Sequence, residues 1–208
     1  LEAVARDFCN KNGYSHVRVL GSGTYKEVFL IESADSQQFA LKILLEDDLR
    51  VDREIKAIRR FNHPCIGKII DFGYHDFSGA PYRYLIEEFL DGGTLEQRIS
   101  SSVLSIYDVF NIGKCLIEVL VQLEENKLVH RDIKPDNILF KIDSNIPILV
   151  DFGIVRDLTQ VSMTQTFAAQ GPCTPVFASP EQLNNDKNQI TWKSDQFALG
   201  IVLSYCLI

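Results

Sequence analysis

The sequence lacks the usual marks of a secreted, membrane-spanning or polyanion-binding chain. Its five cysteines (Cys9, Cys65, Cys115, Cys173 and Cys206) are odd in number, widely spread and contain no C-x-x-C pair. That argues against a disulfide framework or a zinc site and for a reducing, cytoplasmic compartment, with the thiols acting as small buried hydrophobes. Basic residues are in deficit, 21 Lys and Arg against 28 Asp and Glu, for a net charge of -7. A nucleic-acid or anionic-membrane binder needs a basic face, so neither is expected as a partner. The opening "LEAVARDFCN" carries charges where a signal peptide would be apolar. The longest nearly apolar run, "FALGIVLSYCLI" (197–208), is twelve residues long, whereas a membrane span needs about 20. There are no internal repeats and no low-complexity tract.

What is present is a globular chain, 46% apolar over 208 residues, long enough for one domain or two small lobes. Leu1, Val4, Ala5 and Phe8 fall at helical spacing and Gly13 can stop that helix. From Val17 to Leu45 the pattern is strand-like, with a turn through Ala34-Asp35-Ser36. "DLRVDREIKAIRRF" reads as a charged helix, and "CIGKIIDFGYH" and "YRYLIEEFL" as two further strands. The linker "LDGGT" (90–94) marks a lobe boundary. Beyond it, Val109, Ile112, Leu116, Val119, Leu120 and Leu123 line one face of a long helix. Short strands near Ile138–Phe140 and Ile148–Val150 follow, then a polar segment and a final apolar helix. A helix apolar on every side is normally covered, so the last run is expected to meet a dimer contact, a partner or further chain.

Asp-Phe-Gly occurs twice, at Asp71 and at Asp151, each time after an apolar run. Three residues alone decide nothing; their distance from other polar groups does. "GSGTYKEV" (21–28) brings glycines whose backbone can approach a phosphate, although a glycine-rich hairpin turn explains it equally well. Lys42 alternates with apolar neighbours on a strand. In "VHRDIKPDNILF", Asp132, Lys134 and Asn137 occupy a polar loop between apolar elements. There an aspartate can accept a proton, a lysine can neutralise a phosphate and an asparagine oxygen can coordinate magnesium.

In this order the motifs resemble the eukaryotic-type serine/threonine protein kinases, bacterial members included. The glycine-rich loop GSGTYKEV, FALK, Glu54 in "REIKAI", HRDIKPDN, DFG at 151–153, SPE at 179–181 and Asp195 in "WKSDQFALG" stand in register. The resemblance implies an α+β, bilobal fold. It divides the chain into an N-terminal helical extension (1–15), an N-lobe of antiparallel sheet plus helix C (16–90) and a mainly helical C-lobe (91–208) lacking its last helices. ATP and Mg2+ are the implied co-substrate and metal, and a protein with a Ser or Thr acceptor the implied partner.

The resemblance also assigns roles. Asp132 would orient the acceptor hydroxyl and take its proton, with Lys134 stabilising the phosphoryl group; Asn137 and Asp151 would hold magnesium. Asp71 would be an ordinary strand end running into a turn. Gly21, Ser22 and Gly23 would cover the phosphates, and Lys42 would hold them, oriented by a salt bridge to Glu54. Val28, Ala40 and Leu139 would sandwich adenine, and the backbone of Glu88 and Leu90 would hydrogen-bond it. Ile58, Ile69, His130 and Phe152 read equally well as an internal packing column or as plain core. Arg131 would pair with a phosphate on the activation segment, where Thr164 and Thr166 are the candidate autophosphorylation sites. Thr174 would face the substrate.

Three positions depart from the family pattern. Lys26 replaces the third glycine of the loop. Glu87 falls at the gatekeeper position, where a carboxylate needs a cationic partner unless the register is shifted by one. Glu181 is expected to lack its usual arginine. Three functions remain open: an active Ser/Thr protein kinase, an ATP-binding scaffold of kinase fold, and a small-molecule kinase of related fold. Lys42, Glu54, Asp132, Asn137 and Asp151 are all present, and the long segment ending in "SPE" favours protein substrates, so the first is preferred.

Overall fold

The structure is a computed structural model that describes residues 1–23, 26–45, 55–152, 175–184, 186 and 188–208. The chain divides into two compact units, one of Leu1–Arg60 with Gly67–Phe89 and one of Phe61–Ile66 with Leu90–Ile208.

The first unit is built on five antiparallel strands: β1 (Tyr14–Ser22), β2 (Lys26–Ser33), β3 (Gln38–Leu44), β4 (Ile69–Phe77) and β5 (Ala80–Glu88). Their order is β1-β2-β3-β5-β4, so β5 lies between β3 and its own hairpin partner. Helix α1 (Glu2–Asn12) ends at Gly13, which takes the left-handed conformation (φ 76°) that stops a helix. Its Val4, Ala5, Phe8 and Cys9 form one core with Phe29, Ile31, Leu41, Ile43 and Ile86 of the sheet. The helix is therefore part of the unit's core. Its spacing of apolar residues is what lets one face dock on the alternating face of the strands. Of the charged helix read over the forties and fifties, residues 55–58 are described and helical, with Ile55 and Ile58 buried.

The first Asp-Phe-Gly differs from expectation. β4 does not end at Asp71 but runs on to Phe77, with a register shift between Ile69 and Asp71. The cause is Tyr84 on β5: its hydroxyl donates to Asp71 Oδ2 at 3.0 Å, and its ring lies where a Cβ on Gly73 would come within 3.2 Å. Glycine here makes room for a cross-strand aromatic ring. The turn comes later, at Ser78-Gly79, where both residues have positive φ.

In the second unit α2 (Leu95–Ser101) and α3 (Ile106–Glu125) each begin with a reciprocal capping box, Thr94 with Gln97 and Ser105 with Asp108. The six apolar residues read as one face of α3 are all buried. The short pair β6 (Ile138–Leu139) and β7 (Ile148–Leu149) follows, then α4 (Pro180–Leu183) and α5 (Trp192–Tyr205). The segment 61–66 belongs to this unit because Leu149 N donates to Cys65 O at 2.8 Å and Ile66 bridges Leu149. Gly92 is needed for a close approach: a Cβ there would stand 2.5 Å from the Lys141 carbonyl carbon, while its own N–H donates to Phe140 O.

The final helix starts five residues before the run read as apolar, capped by Thr191. It buries Ser194, Asp195, Ala198, Leu199 and Val202, and Gly113 of α3 lets Leu203 approach closely. Phe197 and Tyr205 stay exposed on it, as do Tyr107, Phe110 and Ile117 on α3. Among the described residues no helix is long and apolar enough to cross a membrane.

Candidate active site

In the second unit the loop 130–137 is pinned from both ends. Asp195, 1% exposed at the start of α5, accepts from His130 N (2.7 Å) and Arg131 N (2.8 Å). Burial pushes its carboxyl up to about 6, against the opposing pull of those two N–H groups. The His130 ring adds a second pin. Its Nδ1 accepts from Asp132 N at 3.3 Å, so Nε2 carries the proton and donates to Val150 O at 3.0 Å. The ring also packs on Phe152, centroids 4.9 Å apart.

These pins place the polar residues. Asn137 closes a 3-10 turn (Pro135–Asn137) and donates Nδ2 to both Asp132 O (2.7 Å) and Asp132 Oδ2 (2.9 Å). Lys134 Nζ lies 3.2 Å from the same Oδ2. Two residues of one loop, Lys134 and Asn137, thus converge on the carboxylate of a third, Asp132. Asp151 is brought to this loop by the backbone, since Val150 N donates to Asn137 O at 2.9 Å. Arg131 and Asp151 both take positive φ, 69° and 64°. Side chains rarely adopt that conformation unless their surroundings impose it, as the Asp195 and Val150 contacts do here.

The residue types fit a magnesium ion. Turning Nδ2 of Asn137 towards Asp132 leaves its Oδ1 as the atom offered outward, and Asp151 adds a carboxylate, both hard oxygen donors.

In the first unit the glycine-rich stretch is mostly strand. Gly21 and Ser22 pair with Val28 and Glu27, and Gly23 N donates to Lys26 O at 2.9 Å. Val28 lies opposite Lys42, and Leu30 opposite Ala40. Glu88 ends β5, with its N–H on Lys68 O and its carboxylate accepting from Lys68 N. Leu90 and Leu139 lie in the second unit, Leu90 buried and Leu139 half-buried. Ile58 and Ile69 are buried in the first unit, His130 and Phe152 in the second.

Glu87 is paired within its own sheet. It is buried, opposite Ala40 in the β3–β5 ladder, and it has the cationic partner that burial demands: Lys42, with Nζ–Oε2 at 2.5 Å. The salt bridge that the resemblance assigned to Lys42 and Glu54 involves a residue outside the described ones, as are Thr164, Thr166 and Thr174.

The sequence matches the protein kinase domain over residues 14–208. The chain belongs to the protein kinase domain family. Curated relatives include the serine/threonine-protein kinase PrkC of Bacillus subtilis, 34% identical over 199 residues that cover 91% of this chain and 29% of PrkC. Serine/threonine-protein kinase PknB of Mycobacterium leprae is 31% identical over 89% of this chain and 30% of its own length. The ovarian-specific serine/threonine-protein kinase Lok of Drosophila melanogaster is 31% identical over 95% of this chain and 44% of its own. The chain therefore spans less than half the length of these relatives.

Two features of this kinase domain were not legible beforehand. Gln182, buried at 6% exposure, donates Nε2 to Arg131 O at 2.8 Å, while its Oε1 accepts from Ser179 N and Oγ. It ties the SPE motif to the 130–137 loop, 51 residues away. Only its position three residues after Ser179, a capping-box spacing, hinted at this. Glu181, expected to lack an arginine, instead accepts from Ser194 Oγ at 2.6 Å. Burial pushes its carboxyl up, but the Ser194 and further hydrogen bonds outweigh it and leave the net direction down.

Proposed function

We propose that this kinase domain transfers the γ-phosphoryl group of ATP to serine or threonine hydroxyls of a protein substrate. The observation that carries the reading is the convergence of Lys134 and Asn137 on the Asp132 carboxylate, in a loop seated by Asp195. The Asp132 carboxylate receives the proton of the acceptor hydroxyl as its oxygen attacks the γ-phosphorus. The bond from that phosphorus to the β–γ bridging oxygen breaks, and ADP leaves. Lys134, with its charge 3.2 Å from Asp132, compensates negative charge on the phosphoryl group. Lys42 holds the nucleotide's phosphates. Asn137 and Asp151 would hold magnesium, which offsets the phosphate charge that repels a nucleophile.

Regulation belongs to the same reading. Among the described residues Arg131 Nε is buried without a hydrogen-bond partner, which supports a role as receiver of an anion. Phosphorylation of Thr164 or Thr166 would supply that anion. The exposed Phe197, Tyr205, Phe110 and Ile117 support a second copy or partner that covers the apolar C-terminal helix. Sedimentation of the chain at rising concentration tests that contact.

The activity is tested with labelled ATP and magnesium, comparing the chain with Asp132→Ala and Asp151→Ala, and mapping phosphate by mass spectrometry. Label on Ser or Thr that disappears in both variants is expected. Label that survives in Asp132→Ala refutes the assigned proton acceptor. No label, with nucleotide still raising the melting temperature, favours the nucleotide-binding scaffold.

A further inference from the structure

The buried ion pair of the first unit has a geometry that the phosphate-holding role of Lys42 does not require. Ala40 pairs with Glu87 and Lys42 with Leu85, so Lys42 and Glu87 are diagonal neighbours on one face of adjacent strands. Their side chains are 7% and 10% exposed, with Nζ and Oε2 2.5 Å apart. Removing two charges from water costs about as much as their attraction returns, so an apolar pair of the same volume would be at least as stable. Stability is therefore a weak reason for the pair. What the pair does supply is direction: both backbones are fixed by the β3–β5 ladder, so the carboxylate sets where the ammonium can stand.

We propose that Glu87 is a positioning residue for Lys42. It aims the ammonium from within the sheet, so the lysine's placement does not depend on Glu54 alone. The inference rests on the reading of Lys42 as the phosphate-holding lysine. A carboxylate on the same sheet cannot be withdrawn by movement of a helix. Part of the lysine's alignment is therefore built in before any nucleotide arrives. A misdirected ammonium still carries its charge, so its loss of direction is felt more in turnover than in nucleotide affinity.

The test has two arms, one of them independent of turnover. In the first, Lys42 acylation by an amine-directed reagent is followed by mass spectrometry without nucleotide, with exposed Lys193 as internal reference. Glu87→Gln is expected to raise Lys42 labelling several-fold relative to Lys193, and Glu87→Asp to give an intermediate rate. Equal labelling of Lys42 in all three proteins overturns the proposal. If Glu87→Gln does not fold, as judged by circular dichroism, Glu87→Asp decides the same question. In the second arm Glu87→Gln is expected to lower kcat about tenfold with a smaller change in KM for ATP. In a Lys42→Met background it is expected to add nothing further. An equal added loss in that background means that Glu87 acts independently of Lys42, and the proposal falls. If the parent chain transfers no phosphate while the labelling arm behaves as expected, the kinase reading fails and the Lys42–Glu87 coupling stands.

Discussion

Replacing Asp195 by asparagine isolates one buried charge whose cost depends on pH. The carboxyl ionises near 3.8 when exposed and near about 6 in the fold, because burial disfavours the anion more than two backbone N–H donors favour it. Between those values the folded chain binds a proton that the unfolded chain has lost, so stability from this group falls as pH rises. Its contribution is full below pH 3.8 and gone above about 6. Roughly two pH units at about 1.4 kcal/mol each amount to about 3 kcal/mol, of which roughly 1 kcal/mol remains to be lost between pH 5 and 7. The asparagine side chain of the Asp195→Asn variant has no such titration. It also offers one acceptor where Asp195 offers two, and turns an amide N–H towards a backbone N–H of the His130–Arg131 pair. Relative to the ionised carboxylate that costs about 1–3 kcal/mol, and it loosens the 130–137 loop. Urea unfolding of both proteins from pH 5 to 7.5 measures the difference. The stability of Asp195→Asn relative to the parent is expected to improve as pH rises, while its phosphoryl transfer stays low throughout. Parallel pH–stability curves would refute the claim that burial governs this carboxyl.

Three further outcomes follow from the geometry. Gly92→Ala places a Cβ 2.5 Å from the Lys141 carbonyl carbon, and is expected to lower stability by about 1–3 kcal/mol, read as a drop in Tm. Unchanged Tm would mean that the 91–93 loop moves freely. Gln182→Ala leaves Arg131 O and the Ser179 N–H without their partner and is expected to cost about 1–3 kcal/mol, with kcat falling as the loop loses its tie to α4. Burial pushes the Cys9 and Cys206 thiols up to about 11. At pH 8 only about one in a thousand is then thiolate, so iodoacetamide is expected to modify them slowly until urea unfolds the chain. Rapid native labelling would contradict their burial.

Local periodicity and motif spacing were sufficient for much of this protein. The face of α3 from Val109 to Leu123, the α1 stripe ended by Gly13 and the strand pairs are repeats of 3.6 and 2, which the side chains display whatever the chain does elsewhere. The convergence of Asp132, Lys134 and Asn137 was legible too, because all three lie within six residues and one turn closes them. Asp195 was recognisable only by its place in a family motif.

The rest depended on which distant residues the packing makes neighbours. Lys42 meets Glu87 because β5 inserts between β3 and β4, a strand order that no alternation of apolar residues encodes. Asp71 sits mid-strand because Tyr84 crosses over Gly73 from the partner strand. Segment 61–66 joins the second unit through β7, and Gln182 reaches Arg131 across 51 residues. The sequence by itself determined which faces are apolar and which polar groups share a turn, since those are local chemistry. Tertiary structure alone decided which buried charge meets which counter-charge, because a buried ion takes whatever partner the completed fold places against it.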